Sequence, residues 1–330
     1  MLIEVSEQSQ AGDARRRAVA LAQSLAMDEI RCGEVAIAAT EIATNLVKHA
    51  GGGHILLQQL GKSGNRGLRL IGVDKGPGIE DVTRALEDGH SSAESMGTGL
   101  GALKRLADTF DLYTVPGAGT VVSVAFWGRK QANPLEPTIV EVACVSEPLR
   151  GEDANGDGWG VKCSADLALL MVVDGLGHGI LAAEAAREAE RILALTALTS
   201  PNAIVEDLHA ALKKTRGAAA AVAKIDPAKG LLSFAGVGNV AGIIAEPNAS
   251  RGLASHNGTL GHQMERLQSF TCPWNRDSIL VLHSDGLITR WDLKRYPGIW
   301  KKPPSVIAAV LHRDFRRERD DVTVLVAKAA

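Results

Sequence analysis

Thr40-Glu41-Ile42-Ala43-Thr44-Asn45-Leu46-Val47-Lys48-His49-Ala50, closed by Gly51-Gly52-Gly53, decides how the first half of the chain folds. Val35, Ala38, Ala39, Ile42, Leu46 and Ala50 recur at three- and four-residue steps, the period of a helix with one buried face. Glu41, Asn45 and His49 fall four apart on the opposite face with Lys48 beside them, so a base, an oxygen ligand and two cations share one surface. That surface suits a metal-bound phosphate. A solvated helix face would carry the same residues, and the flanking sequence has to separate the two readings.

Outward from this helix, which the pattern extends over Glu29 to Ala50, Asp13 to Ala26 reads as a second helix. His54 to Leu60 and Leu68 to Val73 read as strands joined by a turn near Gly61 to Gly67. Val73-Asp74-Lys75-Gly76-Pro77-Gly78-Ile79 then places a carboxylate at a strand end before two glycines. This is a turn by composition. It also suits an Asp accepting a hydrogen bond from a purine amino group, with backbone flat against the ring at Gly76 and Gly78. Glu80 to Met96 is irregular and polar, as expected of a mobile cover. Gly97-Thr98-Gly99-Leu100-Gly101 opens a helix over Ala102 to Thr109, offering backbone N–H groups and a helix dipole to a phosphate. No Gly-Lys-Ser/Thr follows and no first strand-helix-strand unit precedes, which excludes the Walker and Rossmann readings. Asp111 to Val115 and Thr120 to Trp127 read as two more strands.

Glu41-x-x-x-Asn45, Asp74-x-Gly76-x-Gly78, Gly97-x-Gly99-x-Gly101 and Gly119-Thr120, in that order, resemble the GHKL (Bergerat) ATP-binding fold, an α/β sandwich. Within it the chain resembles the small serine/threonine switch kinases of bacterial stress signalling, the RsbT type. The resemblance implies that Asn45 holds Mg2+ against the phosphates of ATP and that Glu41 orients or deprotonates the incoming hydroxyl. It implies that Asp74 reads adenine with Thr120, and that Gly97, Thr98, Gly99, Leu100 and Gly101 close on the triphosphate, with Lys48 and His49 nearby. Phosphoryl transfer needs mainly positioning and charge neutralisation, so this set suffices. Ala102 follows Gly101 with no proline in the turn, a departure that touches the lid and not nucleotide binding.

A length of 330 residues allows two domains. The boundaries read as 1–128, a polar linker over 129–137 containing Pro134 and Pro137, and 138–330. With 36 basic and 38 acidic residues the net charge is -2, which excludes broad attraction to nucleic acid or membrane. Met1-Leu2-Ile3-Glu4 lacks the pattern of a signal peptide and no apolar run spans a bilayer, so a cytoplasmic location is expected. Cys32, Cys144, Cys163 and Cys272 are scattered and read as reduced thiols.

In the second half, Leu167 to Val173 is a continuous apolar run ending in Asp174-Gly175-Leu176-Gly177-His178-Gly179. Ser278 to Ser284 does the same before Asp285-Gly286. Each Asp alone begins a turn. Together they would repel unless cations sat between them, and hard oxygen ligands suit Mg2+ or Mn2+. Asn155-Gly156-Asp157-Gly158 and Arg319-Asp320-Asp321-Val322 add further acidic turns. Such a set fits a two-metal centre that activates water and clamps a phosphate.

With Thr215-Arg216-Gly217-Ala218, Gly236-Val237-Gly238-Asn239-Val240, Gly258-Thr259-Leu260-Gly261 and His283-Ser284-Asp285-Gly286-Leu287, this order resembles the metal-dependent protein serine/threonine phosphatases in their SpoIIE and RsbX branch. The implied fold is a PPM-type α-β-β-α sandwich, making the whole chain α+β. By resemblance, Asp174 bridges both metals and the Gly175 carbonyl binds one. Asp285 and Asp320 complete the other shell, with Asp321 interchangeable with Asp320, and Asp157 acts through a bound water. His178 stands four residues after Asp174 and receives no role. Arg150, Arg216 and Arg251 are candidates to grip the phosphate. Trp274, Trp291, Tyr296 and Trp300 form either a docking surface or a cap over a sheet edge.

The expectation is a bifunctional regulator of partner switching. The first domain phosphorylates a STAS-domain antagonist or stressosome scaffold, and the second removes phosphate from the same or a related partner. A downstream output regulator and a homodimer fit the same expectation. The alternative is an ATP-dependent binding module, similar to anti-sigma factors, fused to an active phosphatase.

Overall fold

The structure, a computed structural model, describes residues 1–61, 66–87, 99–128, 139–197, 199–264 and 267–330. The chain divides into two compact units, Met1–Pro134 and Leu135–Ala330.

The first unit runs β1 (Leu2–Val5), α1 (Gln8–Ser24), α2 (Glu29–Ala50), β2 (Gly53–Leu60), β3 (Gly67–Val73), α3 (Val82–Leu86), α4 (Gly99–Leu106), β4 (Thr109–Thr114) and β5 (Thr120–Trp127). The strands form one antiparallel sheet in the order β1-β2-β3-β5-β4. α2 has the expected limits because both ends are specified locally. The Asp28 side chain accepts the Arg31 N–H at 2.8 Å, a cap worth about 1 kcal/mol. Gly51 adopts φ 71° beyond the last turn, and the Gly52 N–H closes on the Leu46 carbonyl at 2.9 Å. α1 buries Ala11, Ala14, Ala18 and Ala22 against α2, small side chains that let the two helices approach closely. Arg31 is buried and bonds Glu34 and Asp108, each at 2.6 Å, while Asp108 also accepts the Trp127 N–H at 2.7 Å. This pins α2 to the far edge of the sheet.

Several limits differ from expectation. β1 is an additional strand, and α1 begins at Gln8, where Gln10 bonds back to the Ser6 and Glu7 N–H groups. α4 begins at Gly99, so Gly99-Leu100-Gly101 are its first turn and not a loop before it. α3 occupies part of the stretch expected to be irregular. Residues 88–96 of that stretch, Gly97 and Thr98, and the linker expected over 129–137 lie outside the described residues.

The second unit runs β6 (Val140–Glu147), β7 (Asp157–Cys163), β8 (Ala168–Gly175), α5 (Ile180–Leu195), α6 (Pro201–Ala211), β9 (Ala218–Asp226) and β10 (Leu231–Val237). It continues with β11 (Ala241–Ala245), β12 (Ser250–Leu253), the short β13 (Gly258–Thr259) and β14 (Gln263–Met264), β15 (Phe270–Pro273), β16 (Ile279–His283), α7 (Pro304–Phe315) and β17 (Val322–Ala329). Two five-stranded sheets, β15-β10-β9-β8-β7 and β12-β11-β16-β17-β6, pack face to face. Leu170, Val172, Ala223 and Phe234 of the first meet Leu280, Leu282 and Leu325 of the second. α5 and α6 cover the outer face of the first sheet, and α7 covers the second. The result is the expected α-β-β-α sandwich, because β8, β9, β16 and β17 are apolar on both faces. The four cysteines form no disulfide. Trp274 and Trp291 are buried, Tyr296 and Trp300 are half-buried, and the Tyr296 hydroxyl donates to Asp314 at 2.7 Å, an arrangement that fits the cap over the fold.

Candidate active sites

In the first unit a cavity of roughly 430 Å³ opens between α2, the start of α4 and the β3–Gly78 turn. Asn45, His49, Asp74, Gly78, Gly99, Leu100 and Thr120 line it among the expected site residues. Asp74 is placed by backbone: its Oδ1 accepts the Gly76 N–H at 2.9 Å and the Thr120 N–H at 3.0 Å, and its own N–H donates to the Thr120 carbonyl at 3.0 Å. A Cβ on Gly119 would run into the Asp74 carbonyl, and its φ of 84° suits glycine. Thr120 Oγ1 lies 3.1 Å from Thr114 Oγ1, which accepts the Ile79 N–H at 2.8 Å. Gly76 works through its N–H to Asp74 and, like Gly101, is not among the lining residues. Starting α4 at Gly99 places the N–H groups of Gly99, Leu100 and Gly101 in the turn where helix donors have no intrahelical partner.

Glu41 and Lys48 do not line the cavity. At about 100° per residue, Ile30, Ile37, Glu41 and Lys48 fall within about 20° of one line along α2, while Asn45 and His49 turn farther round toward the cavity. Glu41 therefore stands on the ridge between cavity and solvent.

In the second unit the two sheets bring five carboxylates to one end of the sandwich. Asp157 opens β7 directly opposite Asp174 at the end of β8. Asp285 follows β16, and Asp320-Asp321 precede β17 on the other sheet. Ser284 fastens the sheets together: its hydroxyl donates to Asp157 Oδ2 at 2.6 Å and accepts the Thr323 N–H at 3.0 Å. Asn239 donates to Asp285 Oδ2 at 2.6 Å and also bonds Asp174. Burial, then repulsion from Asp285, Asp320 and Asp321, pushes Asp174 up to about 7. Burial, then Asp174, holds Asp157 well above the usual carboxylate range, and burial, then Asp285, raises Asp320.

The structure separates the neighbours Asp320 and Asp321. Asp321 Oδ1 accepts the Leu149 N–H at 2.7 Å and Oδ2 the Gly156 N–H at 3.0 Å, so both oxygens shape the loop that carries Asp157. Asp320 Oδ1 accepts the Asp321 N–H at 3.0 Å, and its carboxylate also meets Asp285. The Gly175 N–H donates to the Gly156 carbonyl at 3.0 Å, tying the metal-loop candidate to the same turn. Among the described residues no three His, Cys, Asp or Glu side chains already form a closed cage. The donor set is nonetheless all oxygen, with burial and then mutual repulsion favouring the protonated forms of Asp157, Asp174 and Asp320, which fits divalent cations and not a soft metal. Asn239 and Ser284 had no assigned role from sequence; Asn239 sits in the glycine turn after β10, the one signal pointing to it. His178 is exposed and bonds Glu152 at 2.7 Å. Arg251 lies on β12, the edge strand of the second sheet, where its charge acts on Cys272.

A nucleotide-sized cavity on an α/β sandwich, followed in the same chain by an acidic cluster at the end of an α-β-β-α sandwich, defines a kinase-type ATPase domain joined to a metal-dependent phosphatase-type domain. Family models agree: "Histidine kinase-like ATPase domain" matches residues 5–126, and "Stage II sporulation protein E (SpoIIE)" matches residues 164–330. The chain belongs to the SpoIIE family, with a histidine kinase-like ATPase domain ahead of the SpoIIE domain.

The first unit is homologous to the serine/threonine-protein kinase RsbT of Bacillus subtilis (strain 168), with 37% identity over 109 residues, 33% of this chain and 82% of RsbT. The second is homologous to the phosphoserine phosphatase RsbX of the same organism, with 28% identity over 181 residues, 54% of this chain and 89% of RsbX. Among solved structures, a chain from a study of the bacterial stressosome superposes with a TM-score of 0.54 at 28% identity, covering 57% of this chain and 99% of that one. RsbX in complex with magnesium superposes with a TM-score of 0.52 at 24% identity, covering 59% of this chain and 98% of that one, and shares the fold. Among the described residues no helix is long and apolar enough to cross a membrane.

Proposed function

We propose that this chain is a two-headed regulator of partner switching, whose first domain phosphorylates a serine or threonine on a STAS-domain protein and whose second hydrolyses such a phosphoester. The observation that carries the hydrolytic half is the gathering of Asp157, Asp174, Asp285 and Asp320 at one end of the two sheets. Asp174, Asp285 and Asp320, with the Gly175 carbonyl, would hold two Mg2+ or Mn2+ ions, and Asp157 would act through a bound water. Bound ions would supply charge neutralisation for the phosphate and acidify water. Asn239 keeps Asp174 and Asp285 oriented, and Ser284 fixes Asp157 across the sheets.

The kinase half rests on the cavity and on the RsbT likeness. Asp74 would accept the adenine amino group with the oxygen not engaged by Gly76 and Thr120. Asn45 would hold Mg2+ against the phosphates, with His49 beside it and the N–H groups of Gly99 to Gly101 on the triphosphate. Glu41, on the ridge, would take the proton of the incoming hydroxyl. A cytoplasmic setting follows from the substrates assigned.

The test is incubation of the full chain with Mg-ATP and candidate STAS-domain proteins, following phosphate on the acceptor. Asp174→Asn should accumulate phosphoprotein that the unaltered chain removes, and Glu41→Gln should form none. No transfer by Asp174→Asn, with ATP still changing affinity for a partner, would replace the kinase reading with that of a nucleotide-dependent binding module.

A further inference from the structure

The loop leaving β8 beyond Asp174 and the first turn of α5 carry more exposed apolar surface than phosphoester hydrolysis requires. Leu176, Ile180 and Leu181 are 54%, 66% and 46% exposed, and all follow Asp174 closely in the chain. Leu176 stands in the loop leaving β8, and Ile180 and Leu181 form the first turn of α5. The inward positions of that turn are taken by Ala182 and Ala183, both buried. Ala182 is pressed against the acidic turns: a Cβ on Gly175 would run into its carbonyl, and one on Gly156 would stand 2.8 Å from its methyl group. Ile180 and Leu181 are thus held outward by the same packing that seats the site.

Arg216 borders this rim. Its Nη1 lies 3.3 Å from where a Cβ on Gly177 would be, so the guanidinium overlies the loop between Asp174 and α5. Two bonds fix it there: the Leu176 N–H donates to the Gly217 carbonyl at 3.0 Å, and His262 Nε2 donates to the Arg216 carbonyl at 2.8 Å. Arg216 is exposed and makes no ion pair among the described residues. The polar side chain of the loop, His178, is engaged with Glu152.

Large exposed aliphatic side chains, on a loop that an arginine overlies and on the helical turn after it, resemble an interface core more than an ordinary solvated rim. A small phosphate ester would touch only the carboxylates and a cation. Three aliphatic groups at the mouth gain contact only when the phosphate is carried on a larger surface. The charge beside them sets the orientation, with the phosphate toward Arg216 and neighbouring side chains over Leu176, Ile180 and Leu181. We propose that this rim is a specificity surface selecting phosphoserine or phosphothreonine flanked by apolar side chains on a substrate protein. The inference rests on the phosphatase reading above.

The experiment uses the full chain with Mn2+, the double variant Ile180→Ser/Leu181→Ser, and three substrates: p-nitrophenyl phosphate, a phosphoserine peptide flanked by leucines, and the same peptide flanked by serines. The unaltered chain should prefer the leucine peptide by about tenfold in kcat/KM, the scale of one or two side chains burying apolar surface. The double variant should lose that preference through KM while its rate on p-nitrophenyl phosphate stays within about twofold. Equal hydrolysis of both peptides by the unaltered chain, or a preference that survives in the variant, would overturn the proposal. A dimer that dissociates in the double variant, with peptide rates unchanged, would assign the rim to a second copy. If the unaltered chain hydrolyses none of the three, the phosphatase reading itself fails.

Discussion

Replacing Asp174 by asparagine should stabilise the metal-free protein and destabilise the metal-loaded one relative to the unaltered chain. Burial and three neighbouring carboxylates raise Asp174 from the ordinary 3.8 to about 7. A rise of that size corresponds to about 4 kcal/mol against the ionised form, and sharing of charge among the coupled carboxylates reduces it to about 2–4 kcal/mol. The folded state favours the protonated acid, so this contribution is fully present below pH 3.8 and is lost as pH rises through 7. Asparagine, neutral throughout, escapes the loss. At pH 8 in a chelator, the unfolding transition of the second unit should therefore rise by about 6–12 °C in Asp174→Asn, with little change at pH 4. Saturating Mn2+ should reverse the order at pH 8, because the unaltered chain gains a ligand charge that the variant lacks. Thermal unfolding followed by calorimetry at the two pH values reads all four conditions. A variant less stable than the unaltered chain in chelator at pH 8 would show that the Asp174 carboxylate is favourably paired, and the repulsion argument would fail.

Other substitutions separate neighbouring roles. Asp321→Ala should cost about 3 kcal/mol in a denaturant titration, since two backbone N–H groups lose their acceptor, whereas Asp320→Ala should leave stability in chelator unchanged or raised and weaken Mn2+ binding measured by calorimetry. Asp74→Asn should weaken binding of a non-hydrolysable ATP analogue by about 10- to 100-fold in the same kind of titration, the range for one charged hydrogen bond. Arg31→Met should lower the stability of the first unit by about 3–5 kcal/mol, because Glu34 and Asp108 lose their shared cation; unchanged urea unfolding would contradict that ion-pair account.

What the sequence disclosed depended on how local the specification is. α2 was legible to its ends because Asp28 and Gly51 mark them within the chain itself. Asp157, Asp174 and Asp285 were legible because each ends or begins an apolar run beside glycine. β1 was not, since four residues show no periodicity of their own and gain meaning only by pairing Leu2 with Leu56 and Val5 with Gly53. The backbone bonds that set Asp321 apart from Asp320 were likewise closed to the sequence: they come from N–H groups of Leu149 and Gly156, more than 160 positions away. Asn239 lies in Gly236-Val237-Gly238-Asn239-Val240, and its role shows only where β10 and β16 bring it to Asp285. The start of α4 at Gly99 went unread because glycine is a poor helix former, and a helix beginning on two glycines contradicts propensity.

The most direct measurement is anomalous diffraction from crystals of the full chain grown with Mn2+. The account predicts two manganese peaks among Asp157, Asp174, Asp285 and Asp320, with Asp321 still bonded to the Leu149 and Gly156 N–H groups. Manganese bound elsewhere, or Asp321 turned in as a ligand with Asp320 in solvent, would contradict it.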